Sequence, residues 1–408
     1  MLKKNKFSRK GALLMIIAAV LTLTVVSRMT RASETHTEHT DSMAVAAETT
    51  HAEVASGEHH EEGEAKFDAG KMIFDHVLDA HDWHLWGEGH GSVSIPLPVI
   101  IYSSRGLEVF LSSNFHHGHT TYKGYMLTTP RKIVAVNEME PIDAHHATIN
   151  EDVTKSMIDF SITKLVLCII LSGALLIFIM LKVAKGYSER KGMAPKGIQS
   201  LIEPLVIMIR DDVAKPSIGH KYEKFMPYLL TAFFFILLNN LMGLIPFFPG
   251  GANLTGNISV TLTLAVITFV IQMINSNGNF WQHVVAMPGV PKPVLAILTP
   301  IEILGVILRP FVLMVRLFAN ISAGHIVALA FVSMIFIFKQ QFGNGGAFGI
   351  SIFSGAMYVF MGFLELLVAF LQAYVFTLLS AIYFGAAVEE HHHDSHDHDA
   401  KVEEAALI

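Results

Sequence analysis

The chain has 408 residues, 52% of them apolar and only 16% charged, with a formal net charge of −6 and a mean hydropathy of +0.47. A typical soluble domain carries about 25% charged residues, and several apolar runs here exceed the roughly 18 residues that mark a membrane span, which excludes a soluble globular core as the main architecture. Much of the acidic excess sits in the two tails, no basic surface points to nucleic acid, and the single cysteine, Cys168, lies in an apolar run without metal-ligand spacing and reads as a small buried hydrophobe.

Residues 1–10, MLKKNKFSRK, are basic; GALLMIIAAVLTLTVV follows, then SRMTRASETH. Basic, then apolar, then small and polar is the order of a secretory signal peptide, assigned to residues 1–32 with cleavage near Ala32. The A-x-A rule is not met there, so an uncleaved anchor helix is the competing reading. In both, the segment that follows is exported if the basic end stays inside. Residues 33–70 are rich in Thr, Glu, His and Ala, and such a composition cannot offset the entropy of folding. The alternation in VSIPLPVIIYSS predicts one or two strands in a small hairpin domain reaching to about residue 150. Residues 33–156 are thus expected as a partly disordered exported extension. His76, His81, His84 and His90 match no strong metal motif such as HExxH and read as ordinary surface histidines. The histidine-rich tail, residues 391–408, reads as disordered.

Five spans organise the rest. The first, about 160–183, ends in the basic stretch LKVAKGYSERKG, followed by Lys196, Arg210, Lys215, Lys221 and Lys224; the positive-inside rule places this region in the cytoplasm. Residues 197–213 have helical apolar spacing, with Glu203 and Arg210 on one face, and read as an amphipathic helix lying along the membrane. The second span, about 225–246, carries Asn239 and Asn240 near its outer end. The third is about 258–275. Its Ser259, Thr261 and Thr263 recur at period two, but a lone strand in lipid leaves its backbone unpaired, so a helix is expected. Two long elements follow, about 292–337 and 350–388. Pro300 and Pro310 predict bends or breaks in the first, and KQQFGNGGAFG between the two reads as a turn. Each exceeds the bilayer thickness at 1.5 Å per residue, so a tilted helical hairpin is expected. The fold class is an all-α polytopic membrane protein with five transmembrane elements, an interfacial amphipathic helix and a small exported N-terminal region containing strands.

Ionisable residues inside a span are functional candidates by default, and this hairpin has Glu302, Arg316, His325 and Glu365, with Gln372 as an uncharged fifth. Arg316 is a fixed positive charge. It can bar cations or draw a proton from a passing carboxylic acid by stabilising the carboxylate; a structural salt bridge is the bland alternative. Arg309, near the cytoplasmic end, is explained by snorkelling. His325 lies nine residues past Arg316, so about 13 Å further along and on nearly the opposite side. Glu365 and Gln372 share a face of the return helix about 10 Å apart. An antiparallel register can therefore set His325 against Glu365 and Gln372 near Arg316, and a Glu–His pair suits proton relay. Glu302 can line an inner path or face water. Ala319, Ser322, Ala323 and Gly324 permit close helix approach.

RPFVLMVRLFANISAGH, residues 309–325, resembles the signature of subunit a of F-type ATP synthases. FLELLVAFLQAYVFTLLSAIYF resembles that family's last helix and NNLMGLIPFF its second-span exit, so the resemblance covers about residues 157–390. It implies that Arg316 is the essential arginine facing the carboxylates of a rotating c-ring, with Asn320 one turn on. Glu302 belongs to the cytoplasmic half-channel, His325 and Glu365 to the outer one, in the exchanged, mitochondrial-like order, and Gln372 stands opposite the arginine. It further implies a proton-translocating stator with two half-channels in a bacterial inner membrane, the N-terminal extension periplasmic and the C-terminus cytoplasmic. The implied partners are the c-ring, the b subunits of the peripheral stalk, membrane lipid and, indirectly, the catalytic ATPase sector. No cofactor and no nucleotide site are expected in this chain. A secondary transporter is disfavoured because no second copy of the Arg316 helix is found, and a membrane scaffold has no need of intramembrane charges at matched depths.

Overall fold

A computed structural model describes residues 69–389 apart from 71–72, 74–77, 87–92, 129–131, 191, 246–249, 286 and 288–289. The expected leader, most of the polar stretch after it, His76, His90 and the tail lie outside the described residues. In chain order the elements are β1 (Asp82–Trp86), β2 (Val93–Pro96), β3 (Pro98–Ser103), β4 (Gly106–Leu111), β5 (Tyr125–Thr128), β6 (Lys132–Ala135), α1 (Glu151–Ser156), β7 (Ile158–Asp159), α2 (Lys164–Glu189), α3 (Ile198–Met208), α4 (Tyr222–Leu244), α5 (Ile258–Asn275), α6 (Gly278–Val285) and α7 (Lys292–Val388). Four runs among the described residues are long and apolar enough to cross a membrane: Lys164–Glu189, Ile198–Leu244, Ile258–Asn275 and Pro293–Val388. The chain is an all-α polytopic membrane protein preceded by a strand-containing region.

One compact unit comprises the described residues up to 185 together with 234–264 and 314–373. Its strand region holds seven strands where the alternation of VSIPLPVIIYSS announced one or two. All pair antiparallel, as β1–β2, β4–β3–β7 and β5–β6. The inward residues Val99, Ile101 and Phe110 pack with Phe115, Tyr125, Ile133, Ala135 and Met157 into one core. Arg105, in the β3–β4 turn, staples this core by donating to Gly124 O at 2.8 Å and Val136 O at 2.7 Å. Gly124 has φ 76°, and a Cβ there would collide with the guanidinium, so both backbone freedom and close approach require glycine. β7 runs almost directly into α2. The Asp79 carboxylate accepts from Leu165 N–H at 3.1 Å and Lys164 N–H donates to Ala80 O at 2.8 Å, satisfying donors that a helix start leaves open. Cys168 is buried beside Trp83, Leu165, Met242, Leu254 and Val260.

His81 departs from the surface reading. It is buried, with Nε2 3.7 Å from Asp159 Oδ2. Asp159 belongs to β7 and arrives from 78 residues further along the chain, so local polarity could not reveal the pairing. Burial pushes the Asp159 carboxyl up, but His81 and the Ser161 hydroxyl and N–H outweigh it and hold it below its ordinary value.

The α7 run is helical throughout except at Gly343, with φ 67° and ψ −164°. The expected turn over residues 339–349 is thus confined to one residue, because glycine alone adopts such a conformation without steric cost. Bonds cross this break: Ser354 Oγ donates to Phe331 O, His325 pairs with Glu365 and Asn320 with Gln372. The two arms therefore run antiparallel over these residues. Pro300 and Pro310, expected to bend or break the first arm, stand inside uninterrupted helical backbone. Proline removes one N–H but holds φ near the helical value, and spanning helices tolerate it.

The second unit comprises residues 186–233, 265–313 and 374–389. α3 passes through a π-helical turn, Ile209–Ala214, before the chain continues into α4. Glu203 and Arg210 do not pair with each other. Glu203 accepts from Tyr187 OH at 2.7 Å, and Arg210 binds Asp211 at 2.7 Å. α6, absent from the sequence reading, buries Phe280 and Val284 against Val306. Arg309 does not snorkel freely. Its guanidinium lies 5.8 Å from the ring centre of Phe280 and 5.4 Å from that of Tyr383, a cation–π arrangement. Asn277 closes the C-terminus of α7, its N–H donating to Ala387 O at 2.8 Å and its Nδ2 to Val388 O at 3.2 Å.

Candidate functional site

The first arm of α7 divides its residues by face. Leu313, Met314 and Leu317 are buried, whereas Arg316 and Asn320, one helical turn apart, are exposed. Among the described residues Arg316 has neither an ion pair nor a hydrogen bond. An arginine in a spanning helix is costly, so its charge calls for a partner that the described residues do not supply.

One turn on, Asn320 Nδ2 donates to Gln372 Oε1 at 2.8 Å. Gln372 is buried. The expectation that Gln372 approaches Arg316 is thereby refined, since its hydrogen-bonded partner is Asn320. Further along the same arm, His325 Nδ1 lies 2.8 Å from Glu365 Oε1, both side chains being about 15% exposed. The contact is within hydrogen-bond reach, the geometry that proton transfer between a carboxylate and an imidazole requires. Gly324 makes it possible: a Cβ there would lie 2.8 Å from Glu365 Oε1.

The pair opens on a cavity of about 230 Å³ whose polar lining also includes Asn239, Asn240, Asn253, Thr255 and Asn320. Asn240 is the tie. Its Nδ2 donates to Ala369 O at 3.0 Å and its Oδ1 accepts from Thr255 Oγ1 at 2.6 Å. Ser322 Oγ donates to Gly256 O at 3.2 Å, fixing the same loop to the first arm. Among the site candidates the sequence reading omitted Asn239, Asn240, Asn253 and Thr255. A double asparagine closing an apolar span was the available signal. Glu302 lies in the second unit, half-buried, and its carboxylate has no hydrogen bond or ion pair among the described residues. No group of three or more metal-ligating side chains occurs among the described residues.

These features define a polytopic membrane protein that buries a line of ionisable and amide side chains between its spanning helices while leaving Arg316 without a partner among the described residues. Residues 166–385 match the family model described as ATP synthase A chain, and the chain belongs to the ATP synthase subunit a family. It is similar to ATP synthase subunit a of Chloroherpeton thalassium, 45% identical over 249 residues that cover 59% of this chain and 71% of that protein. It is 49% identical to ATP synthase subunit a 2 of Chlorobaculum tepidum over 247 residues, 59% of this chain and 66% of that one. With ATP synthase subunit a of an Anaeromyxobacter species it shares 36% identity over 306 residues, 68% of this chain and 71% of the relative. A second model, described as a domain of unknown function (DUF8433), matches residues 72–160, a range that takes in all seven strands.

Proposed function

We propose that the chain is the proton-translocating stator of an F-type ATP synthase, working against a rotating ring of c subunits and joined to the b subunits of the peripheral stalk, with the catalytic ATPase sector beyond. The observation that carries this reading is the contrast along one arm: His325 bonded to Glu365 at 2.8 Å, and Arg316, nine residues earlier, exposed and without a partner among the described residues. In this reading the arms of α7 are two crossings, giving five in all, and α3 lies along the membrane surface. The strand region is periplasmic, the residues after α7 cytoplasmic, and the leader, exported region, membrane domain and tail divide at residues 32, 156 and 390.

A proton entering from the periplasmic side passes through the cavity onto the Glu365–His325 pair. It is then delivered to a ring carboxylate that has left Arg316, and the neutral acid can turn into lipid. After nearly a full circle the acid meets the second aqueous path, near Glu302, and releases its proton toward the cytoplasm. Arg316 favours that release because a fixed positive charge stabilises the carboxylate, and it bars direct passage between the two paths. Asn320 and Gln372 hold the arms together beside it. The nucleotide chemistry belongs to partner subunits.

ATP-driven acidification of inverted vesicles tests this. Complexes of equal abundance with Arg316→Ala are expected to hydrolyse ATP without acidifying the lumen. Acidification at the native rate would show the arginine to be structural and remove the reading. Native vesicles that acidify only when sodium is supplied would keep the stator and change the ion.

A further inference from the structure

The three-stranded sheet β4–β3–β7 has one covered face and one bare face. Strand register places Val99 opposite Phe110 and Ile101 opposite Glu108 on the covered side. On the other side Pro98 faces Leu111, Ile100 faces Val109, and Tyr102 faces both Leu107 and Ile158. Phe160 continues this side, its N–H bonded to Ile100 O at 2.8 Å. None of these eight positions carries a charge. Leu107 is 63% exposed, Val109 56% and Tyr102 55%; Leu111, Ile158 and Phe160 are exposed as well. The nearby charges turn the other way: Glu108 accepts from Lys123 at 2.6 Å, and Arg105 donates into the core backbone. A contiguous, uncharged patch of this kind marks an interaction surface.

What lies against it follows from where the sheet ends. Pairing continues to Ile162, whose N–H bonds to Pro98 O at 3.0 Å, two residues before α2 begins. The apolar side chains that α2 exposes, such as Ile177, Phe178 and Leu181, belong to a helix long and apolar enough to cross a membrane. The bare sheet face is thus joined through Phe160 and Ile162 to the apolar surface of a membrane-spanning helix. We infer that this face rests on the acyl–headgroup boundary of the leaflet from which α2 enters the membrane. Tyr102 and Phe160 among aliphatic neighbours suit that boundary, where amphipathic rings collect, and the missing charges give a polar partner nothing to hold. From Ile158 to Lys164 an upright extended chain spans about 20 Å, whereas the headgroup layer is only about 5–8 Å deep. For its outer strands to reach the lipid, the sheet must lie inclined to the membrane plane rather than upright.

The test uses the full-length chain in the assembled complex, reconstituted in vesicles, with Cys168→Ala removing the native thiol. An environment-sensitive fluorophore is placed singly by Leu107→Cys or Val109→Cys. Phe178→Cys on α2 serves as the lipid reference and the exposed Glu140→Cys as the aqueous one. Labels at 107 and 109 are expected to be quenched by brominated lipid, like the label at 178, and to resist aqueous iodide, unlike the label at 140. Iodide quenching equal to that at 140 would show a free face and overturn the inference. Protection from both quenchers would show a face covered by protein, and would overturn it as well.

Discussion

His325 and Arg316 stand nine residues apart on one helix, and the chain treats them in opposite ways. His325 is enclosed: Glu365 meets it at 2.8 Å, Asn240 ties the neighbouring helix to the return arm that carries Glu365 through Ala369, and a cavity opens beside it. Arg316 is exposed, with no partner among the described residues. A buried ion pair or hydrogen-bonded network is satisfied within its own fold. A charge left over on a spanning helix is satisfied by something else. In the proposed function the first place relays a proton and the second acts on a moving partner.

This contrast can be broken at either end. Removing Arg316 has the largest expected effect, complete loss of coupled transport as described above. Next is Glu365→Gln, which keeps a hydrogen-bonding side chain of nearly the same shape but cannot exchange a proton. Acidification should slow by about a hundredfold or more, with the subunit still assembled; a rate within twofold of native in the same vesicle assay would deny the pair its relay role.

Two glycines sharpen the comparison. Gly324→Ala puts a methyl group 2.8 Å from Glu365 Oε1, whereas at Gly243 the nearest atoms to a new Cβ are Ala252 O at 3.5 Å and His325 Nε2 at 3.8 Å, ordinary contact. Overpacking costs about 1–3 kcal/mol. Gly324→Ala should therefore slow pumping severalfold while Gly243→Ala leaves it near native, and equal effects would show that the geometry of the pair does not matter. Asn240→Ala removes two bonds made inside the protein. It should lower the stability of the detergent-solubilised complex by about 1–3 kcal/mol, read as a downward shift in its thermal transition.

The smallest expected effect lies in the strand region. The Asp159 carboxyl is held below its ordinary value, so its contribution to stability is fully present above the unfolded-state value, near 4, and is lost as pH falls through the lower folded-state value. Protection of the β3–β7 amides from hydrogen exchange, corrected for intrinsic rates, should fall over that acidic window. Asp159→Asn should abolish the dependence. An unchanged profile in the variant would assign it to another group.

Apolar run length made the long helices legible, because a backbone in lipid has few ways to satisfy itself. The intramembrane charges were legible for the same reason: Arg316, His325 and Glu365 have no business in a merely structural span. What escaped were features decided by contacts. Pro300 and Pro310 leave the helical backbone unbroken, an outcome that local propensity does not decide. α6 is only eight residues long, too short for a periodic signal. Arg309 looked like a terminal charge until Phe280 and Tyr383 were seen to flank it. His81 looked like a surface histidine because Asp159 is distant in sequence. Most of the seven strands are short, four to six residues, and strand pairing depends on partners that a single stretch does not name. The cavity-lining amides were visible one by one, but their convergence on His325 was not.

The reversal at Gly343 has a consequence for how the sequence can change over time. His325 and Glu365 are forty residues apart, and almost everything between them is helix. Adding or deleting one residue in either arm would turn everything beyond it by about 100° and carry the carboxylate away from the imidazole. Substitutions on the exposed faces are cheap there, but changes in length are not, unless a second change in the same arm restores the phase. The stretch from 325 to 365 is therefore expected to behave as a ruler among related chains, variable in composition and nearly invariant in length, while the loops that join the other helices drift in both.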